Sequence, residues 1–500
     1  MSRCTVPSRL TWSCALVGTI GSLLVAYAAP RALADPVVRW WYEPSAPAGR
    51  HASLALLYVG MALLVSAWLV LGRALPSPRA LMAIAALWAL PLALAPPLFS
   101  RDLYSYLAQG TILHLGHNPY HSAPVLLSRL GRQHVLDAVS SFWRHTTAPY
   151  GPLFLGLISL VVGVTGAHLV AGVLLTRLLG LAGLALLVAA VPRLARALGT
   201  DPRRALWLVA LSPLVTLELI AAGHNDALMV GVLALGIAYA LDGRPLLGIA
   251  ICALAATIKV PALAGAVFIA VAWTRAESGA RPRRRLALTA AAIVAAVLGV
   301  VTLIAGVGVS WISTSLFSTP AKVHLAITPG TAIGYTLSSL LRDVGIHTSA
   351  RGLEDAVGAV VFGVTAIAGL ALLYRVRIST LVASLGGFLL IVAAGGPAAW
   401  PWYFIWGLAL VGAMRGPQRS IALAVALSAS AFVVKPDGIL ALPLPSAPAV
   451  VVVYLGIAAA AWWAWRRRAG DAGGRPPGGG ARAPGAAPVR ESAPSALAGT

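Results

Sequence analysis

Charge is scarce in this chain: only 10% of its 500 residues are Asp, Glu, Lys or Arg, against about 25% in soluble globular domains. Hydrophobic residues make up 59%. They fall in repeated apolar runs of roughly 17–25 residues, the length at which a helix spans a bilayer. A soluble fold is thereby excluded. So is a β-barrel, whose strands alternate instead of running unbroken. Cysteine is scarce as well. Cys4, Cys14 and Cys252 have no paired spacing and lie in or beside apolar segments, so they build neither a disulfide framework nor a metal site. The expected fold is all-α, a polytopic helical membrane protein.

Acidic residues are outnumbered, 15 against 37 Lys and Arg, which leaves a formal net charge of +22. Such basicity would suit nucleic acid, but the arginines sit in short clusters between apolar runs. That is the pattern by which cytoplasmic loops orient a membrane protein, so no nucleic-acid partner is expected. The first segment has features of a secretory signal peptide: Arg3, Arg9, an apolar run from Leu16 and "ALA" before Asp35. Its length and the helices that follow favour a retained helix.

The apolar runs read as helices near 12–32, 51–72, 80–98, 168–192, 205–222, 227–241, 246–258, 260–274, 286–307, 354–374, 379–394, 403–415, 420–434 and 447–465. This gives about 13–14 transmembrane helices, the short ones at 246–258 and 403–415 making the lower count possible. With the N-terminus inside, "GRALPSPR", Arg193 to Arg204, "TRAESGARPRRR", "YRVR", "RGPQR" and "RRR" all fall on the cytoplasmic side. The run 153–166 is too short for a span and reads as re-entrant or interfacial. Three regions result: 1–50, an N-terminal anchor and first outer loop; 51–465, the membrane domain; and 466–500, a Gly/Pro/Ala-rich cytoplasmic tail whose composition reads as disordered.

The opposite face receives the unusual chemistry: "SRDLYSY", "GHNPY", "HTTAPYGP", "GHNDALM", "IKVP", "AKVHLAITPG" and "GGPAAWPWYFIW". The only two asparagines, Asn118 and Asn225, each follow Gly-His there, and the only lysines, Lys259, Lys322 and Lys435, thread to the same side. Asp102 at the top of a helix can act as general base on an incoming hydroxyl; an ion pair with Arg101 or a helix cap is the alternative. Tyr104 and Tyr106 offer hydroxyls or flat surfaces, or interfacial anchoring. "GHND" carries more polarity than a turn needs, which suits substrate hydroxyls, or a turn that satisfies itself. His224 and Asp226 lack the HxxxH or DxD spacing of a metal site. Lys259 either snorkels to the interface or holds a phosphate with Arg101 or His324. Glu218, inside its apolar helix, needs a polar partner that the sequence does not name. "WPWYFIW" is an aromatic belt that can also stack on sugars.

Taken in order, "SRDLYSYLAQG", "HNPY", "TTAPYGPLF", "GHNDALMVG" and "GGPAAWPWYF" resemble the actinobacterial polyprenol-phosphomannose-dependent α-(1→6)-mannosyltransferases of the MptA/MptB type, over about residues 50–465. The resemblance implies a GT-C glycosyltransferase, multispanning in the plasma membrane with both termini cytoplasmic and its active site in extracytoplasmic loops. It implies an inverting transfer of mannose from polyprenyl-phosphate-mannose to a lipid-anchored α-(1→6)-mannan of lipomannan type. Asp102 would be the base. Arg101, Lys259 and His324 would hold the donor phosphate. Tyr104, Tyr106, Asn118, Tyr120, Tyr150, His224, Asn225, Asp226, Trp402 and Tyr403 would face sugar or acceptor, and apolar helices would hold the polyprenyl tail. No cofactor is implied, and dependence on a divalent metal stays open. Transfer of another lipid-linked sugar, such as arabinofuranose, is the nearest alternative. A secondary transporter or lipid flippase is the more distant one, although such proteins place their ionisable groups near the bilayer midplane.

Overall fold

The computed structural model describes residues 8–32, 49–166, 168–315, 329–346, 349–396, 400–416, 418–429, 451, 452 and 455. Lys322, His324, Lys435, most of the expected span 447–465 and the tail lie outside these. Residues 1–450 form the unit described below. Its elements are helical, and no strand forms among the described residues.

In chain order the principal helices are α1 Arg9–Ala32, α2 Arg50–Ala74, α3 Pro78–Leu94, α4 Asp102–His114, α5 Pro152–Thr165, α6 Leu169–Ala197 and α7 Pro202–Val209. A π-helical turn, Val215–Ala221, precedes α8 Asp226–Leu241. Then come α9 Pro245–Ala256, α10 Leu263–Ala276, α11 Ala280–Ala305, α12 Pro329–Asp343, α13 Ala350–Arg375, α14 Leu381–Gly395, α15 Ile405–Val411 and α16 Gln418–Ala429. α1 packs on α2 and α3; α8 packs on α6, α9, α10 and α15; α4 packs on α5 and α6.

Among the described residues six helices are long and apolar enough to cross a membrane, or seven if the π turn and α8, bent by 116°, count as one broken span. The polytopic all-α reading therefore holds, but the count of 13–14 does not follow from helix length. The difference has local causes. The run expected at 80–98 stops at Leu94, before Pro96 and Pro97, because proline cannot donate the next helical bond. The run expected at 205–222 breaks after Val209, where Ser212 turns its hydroxyl onto the Val209 carbonyl. The apolar helices at 78–94, 152–165, 245–256, 260–276 and 401–411 are each shorter than eighteen residues.

Two helices lie between the runs expected from sequence, α4 between 80–98 and 153–166 and α12 between 286–307 and 354–374. α4 is buried on every side from Leu103 to Ile112, although Ser105, Gln109 and Thr111 are among the residues covered. Packing against α5 and α6, not an apolar stripe, makes it a core helix.

Candidate active site

The approach to α4 is built from "APPLFS". Phe99 is fully buried with φ +62°, a left-handed conformation that costs a non-glycine residue about 1–3 kcal/mol and tends to persist at functional sites. Arg177, from the middle of α6, reverses the usual rule against charge in an apolar core. Its guanidinium is 4% exposed and donates to the carbonyls of Ala93, Ala95, Pro96 and Ala221. Leu98 N–H donates to the same Ala221 carbonyl at 3.2 Å. One cation thus ties the end of α3 and the entry to α4 onto the end of the π turn.

That joint sets Asp102 beside the "GHND" turn. Asp102 is the first residue of α4, and its backbone N–H donates to Ser100 Oγ at 3.1 Å. A carboxylate at this position is favoured by the helix dipole. Across from it, Gly223 adopts φ +75° and a Cβ there would press on the Leu103 side chain, so the turn before His224 requires glycine. His224 Nδ1 stands 3.3 Å from Asp102 Oδ2, and Nε2 stands 3.6 Å from Glu218 Oε2. Both are ion-pair distances without hydrogen-bond geometry. His224 and Glu218 are completely buried, while the Asp102 side chain is 14% exposed. The imidazole lies flat on the Trp402 indole, centroids 3.7 Å apart and planes 15° apart, and Trp400 also stacks on Trp402, centroids 4.8 Å apart.

A second charge pair closes the floor. Lys259 Nζ donates to both carboxylate oxygens of Asp226, at 2.9 and 2.8 Å. Trp406 Nε1 donates to the same carboxylate. The ammonium also lies over the Tyr403 ring at 4.4 Å and the Trp406 ring at 5.3 Å, the geometry of a cation–π contact. Lys259 is held in register because Gly151 N–H and Leu153 N–H donate to the Ile258 and Thr257 carbonyls just before it. The close approach at Gly151 leaves no room for a side chain against Thr257. Tyr150 is thereby brought edge-on to Tyr106, centroids 4.9 Å apart, and Tyr106 accepts the Asn225 backbone N–H at 3.3 Å.

The sequence-expected residues therefore divide. Asp102, Tyr106, Tyr150, His224, Asn225, Asp226, Lys259, Trp402 and Tyr403 converge in one cluster, with Arg101 at the N-cap of α4 and Tyr104 buried in its first turn. Asn118 and Tyr120 make backbone contacts: the Asn118 amide donates to the Val307 carbonyl at 2.8 Å, and the Tyr120 hydroxyl to the Tyr150 carbonyl at 2.7 Å. The Lys259 ammonium, expected on phosphate, is on Asp226. His324 lies outside the described residues. The Asn225 amide is 3% exposed with neither end hydrogen-bonded. Among the described residues, no three His, Cys, Asp or Glu side chains form a group that could hold a metal ion. Sequence reasoning missed Arg177 and Trp406. A lone arginine inside the run 168–192 was the available signal for the first; nothing distinguished the second from a belt tryptophan.

Apolar helices surround this cluster of acids, an imidazole and stacked indoles, and the chain's relatives give its class: a membrane-embedded glycosyltransferase. The chain belongs to the α-(1→6)-mannopyranosyltransferase family. The profile of that family's N-terminal domain matches residues 13–275, and the profile of the MptB C-terminal domain matches residues 330–468. The chain is 38% identical over 406 residues to α-(1→6)-mannopyranosyltransferase A of Mycobacterium tuberculosis, covering 78% of this chain and 77% of that one. It is 33% identical to a probable α-(1→6)-mannopyranosyltransferase of Mycolicibacterium smegmatis, covering 82% of each. It is 28% identical to α-(1→6)-mannopyranosyltransferase B of Corynebacterium glutamicum, covering 79% of this chain and 71% of that one. No solved structure matches.

Proposed function

We propose that this enzyme transfers mannose from polyprenyl-phosphate-mannose to a lipid-anchored α-(1→6)-mannan at the extracytoplasmic face of the plasma membrane, with inversion. Asp102 is the general base. One observation carries the assignment: of the three carboxylates in the cluster, only Asp102 is accessible. Glu218 and Asp226 are fully buried, and Asp226 is neutralised by Lys259. An acceptor hydroxyl entering the site meets Asp102 first.

The hydroxyl proton passes to Asp102 as the acceptor oxygen attacks the anomeric carbon from the face opposite the phosphate. The bond from that carbon to the phosphate oxygen breaks, and its electron pair leaves on polyprenyl phosphate. Negative charge grows on the leaving group, so a fixed cation there favours the transition state over the ground state. Arg101, next to Asp102, takes that role. The buried Asn225 amide contacts sugar hydroxyls, and Trp402 with Tyr403 forms the stacking wall.

The test is incorporation of labelled mannose from polyprenyl-phosphate-mannose into mannan by membranes carrying the wild-type enzyme or Asp102→Asn. The isosteric amide is expected to lower turnover by about 10²–10⁴-fold, the range for loss of a general base. Unchanged turnover in Asp102→Asn removes the base assignment. Transfer from a lipid-linked pentose but not from the mannose donor overturns the substrate.

A further inference from the structure

We propose that Glu218 and His224 form a buried carboxylate–imidazolium dyad that holds Asp102 ionised and aimed, so that both are positioning residues and not sugar contacts. The inference rests on the reading of Asp102 as the base and deepens it.

A lone carboxylate in an apolar run is costly to bury, by several kcal/mol even after relaxation, and "LVTLELIAA" around Glu218 supplies no local partner. The π-helical turn supplies a distant one. Its wider winding carries Glu218 round to the side of the "GHND" turn, as π turns at functional sites commonly do. The His224 backbone N–H then donates to the Glu218 carbonyl at 3.4 Å, so the two residues share one rigid loop. Their side chains meet at 3.6 Å with no exposure on either.

The imidazole has little freedom to turn. Trp402 covers one face at 3.7 Å, and the two ring nitrogens point at different carboxylates. A carboxylate at ion-pair distance from each ring nitrogen favours the protonated, imidazolium form. The other ionisable groups around it leave this charge pattern intact. Asp226 is matched by Lys259. Tyr106, Tyr150 and Tyr403 are uncharged phenols. Arg101, at the N-cap of α4, immediately precedes Asp102. The row Glu218, His224, Asp102 thus runs minus, plus, minus from the buried end to the accessible end.

The chemical consequence is specific. His224 engages Asp102 at Oδ2, which leaves Oδ1 to the acceptor hydroxyl. A cation beside Asp102 keeps it ionised in an apolar surround, and Glu218 keeps that cation charged. Neither dyad member changes bonding during transfer.

The experiment is the pH profile of kcat/KM for mannose transfer in membranes, for wild type, Glu218→Gln, Glu218→Asp, His224→Gln and Asp102→Asn. Removing one carboxylate makes the imidazolium lose its proton at lower pH, so Glu218→Gln is expected to move the high-pH limb to the acid side. It should also lower kcat by about 100-fold, the scale of a misplaced group, with donor KM within about twofold. Glu218→Asp should restore most of both. His224→Gln, which cannot be charged, should lose the high-pH limb altogether. An unmoved limb in Glu218→Gln, or a persistent one in His224→Gln, overturns the dyad, as does a loss confined to KM. If Asp102→Asn is inactive while the dyad variants keep wild-type profiles, only the dyad fails. If Asp102→Asn is fully active, the reading of the base fails instead.

Discussion

Lys259 and Asp226 show what a single buried pair demands. The ammonium is 11% exposed and the carboxylate not at all; both carboxylate oxygens are on Lys259, and one also receives Trp406. Breaking such a pair from one side strands the other charge, which typically costs about 3–5 kcal/mol, whereas replacing both partners is close to neutral. Lys259→Met is therefore expected to lower the thermal midpoint of the detergent-solubilised protein sharply. Lys259→Met combined with Asp226→Asn should recover most of that loss. If the double variant is no more stable than the single one, the pair is not what holds this floor. These residues also measure how far sequence reaches. Asp102, His224, Asp226 and Lys259 stood out because polar groups are rare in such a chain. Their pairing was not legible, because Lys259 and Asp226 are 33 positions apart and meet only once α8 and α9 have packed. Glu218 was visible as an acid without a partner, and its partner turned out to be six residues away, through a π turn that has no sequence signature.

At the level of elements, the joint around Arg177 decides where the site stands. It fixes three successive stretches, the end of α3, the entry to α4 and the end of the π turn, through carbonyls that have lost their helical donors. A guanidinium can serve four such acceptors at once; an ammonium has three donors on one point, and a thioether has none. Arg177→Met would leave buried carbonyls unsatisfied at about 1–3 kcal/mol each and let Asp102 drift from His224. The expected outcome is a lower melting midpoint together with a fall in kcat, with Arg177→Lys intermediate in both. A variant that melts early but turns over normally once folded would show that Arg177 only stabilises. The long apolar helices were legible because length and hydropathy specify them. α4 was not, since its mixed composition becomes a buried helix only between α5 and α6. The helices at 78–94 and 202–209 also ended early, where proline and serine compete with the helical hydrogen bonds.

At the scale of the molecule, the arginines of the short basic loops lie apart from the site. Arg203 reaches the Leu75 carbonyl across 128 positions, and Trp68 and Trp207 stack at 5.0 Å beside that contact. Arg275 donates to the carbonyls of Leu373, Tyr374 and Val376. The basic loops after α2, α6, α10 and α13 thus meet in pairs, none of them in contact with Asp102, His224 or Lys259. If the orientation rule holds for these loops, they are cytoplasmic and the site we propose faces outward. Side-specific labelling checks this. Cys14 and Cys252 are buried, so a Cys4→Ser background should stay silent to an impermeant thiol reagent. In that background His117→Cys and Arg283→Cys each place a reporter at an exposed position. In intact cells whose envelope admits the reagent, His117→Cys should label and Arg283→Cys should label only after the membrane is opened. The reverse pattern would invert the protein and move the chemistry to the cytoplasm. Equal labelling would refute the threading, because a thiol reagent that cannot cross the bilayer can reach both positions only if they share a side.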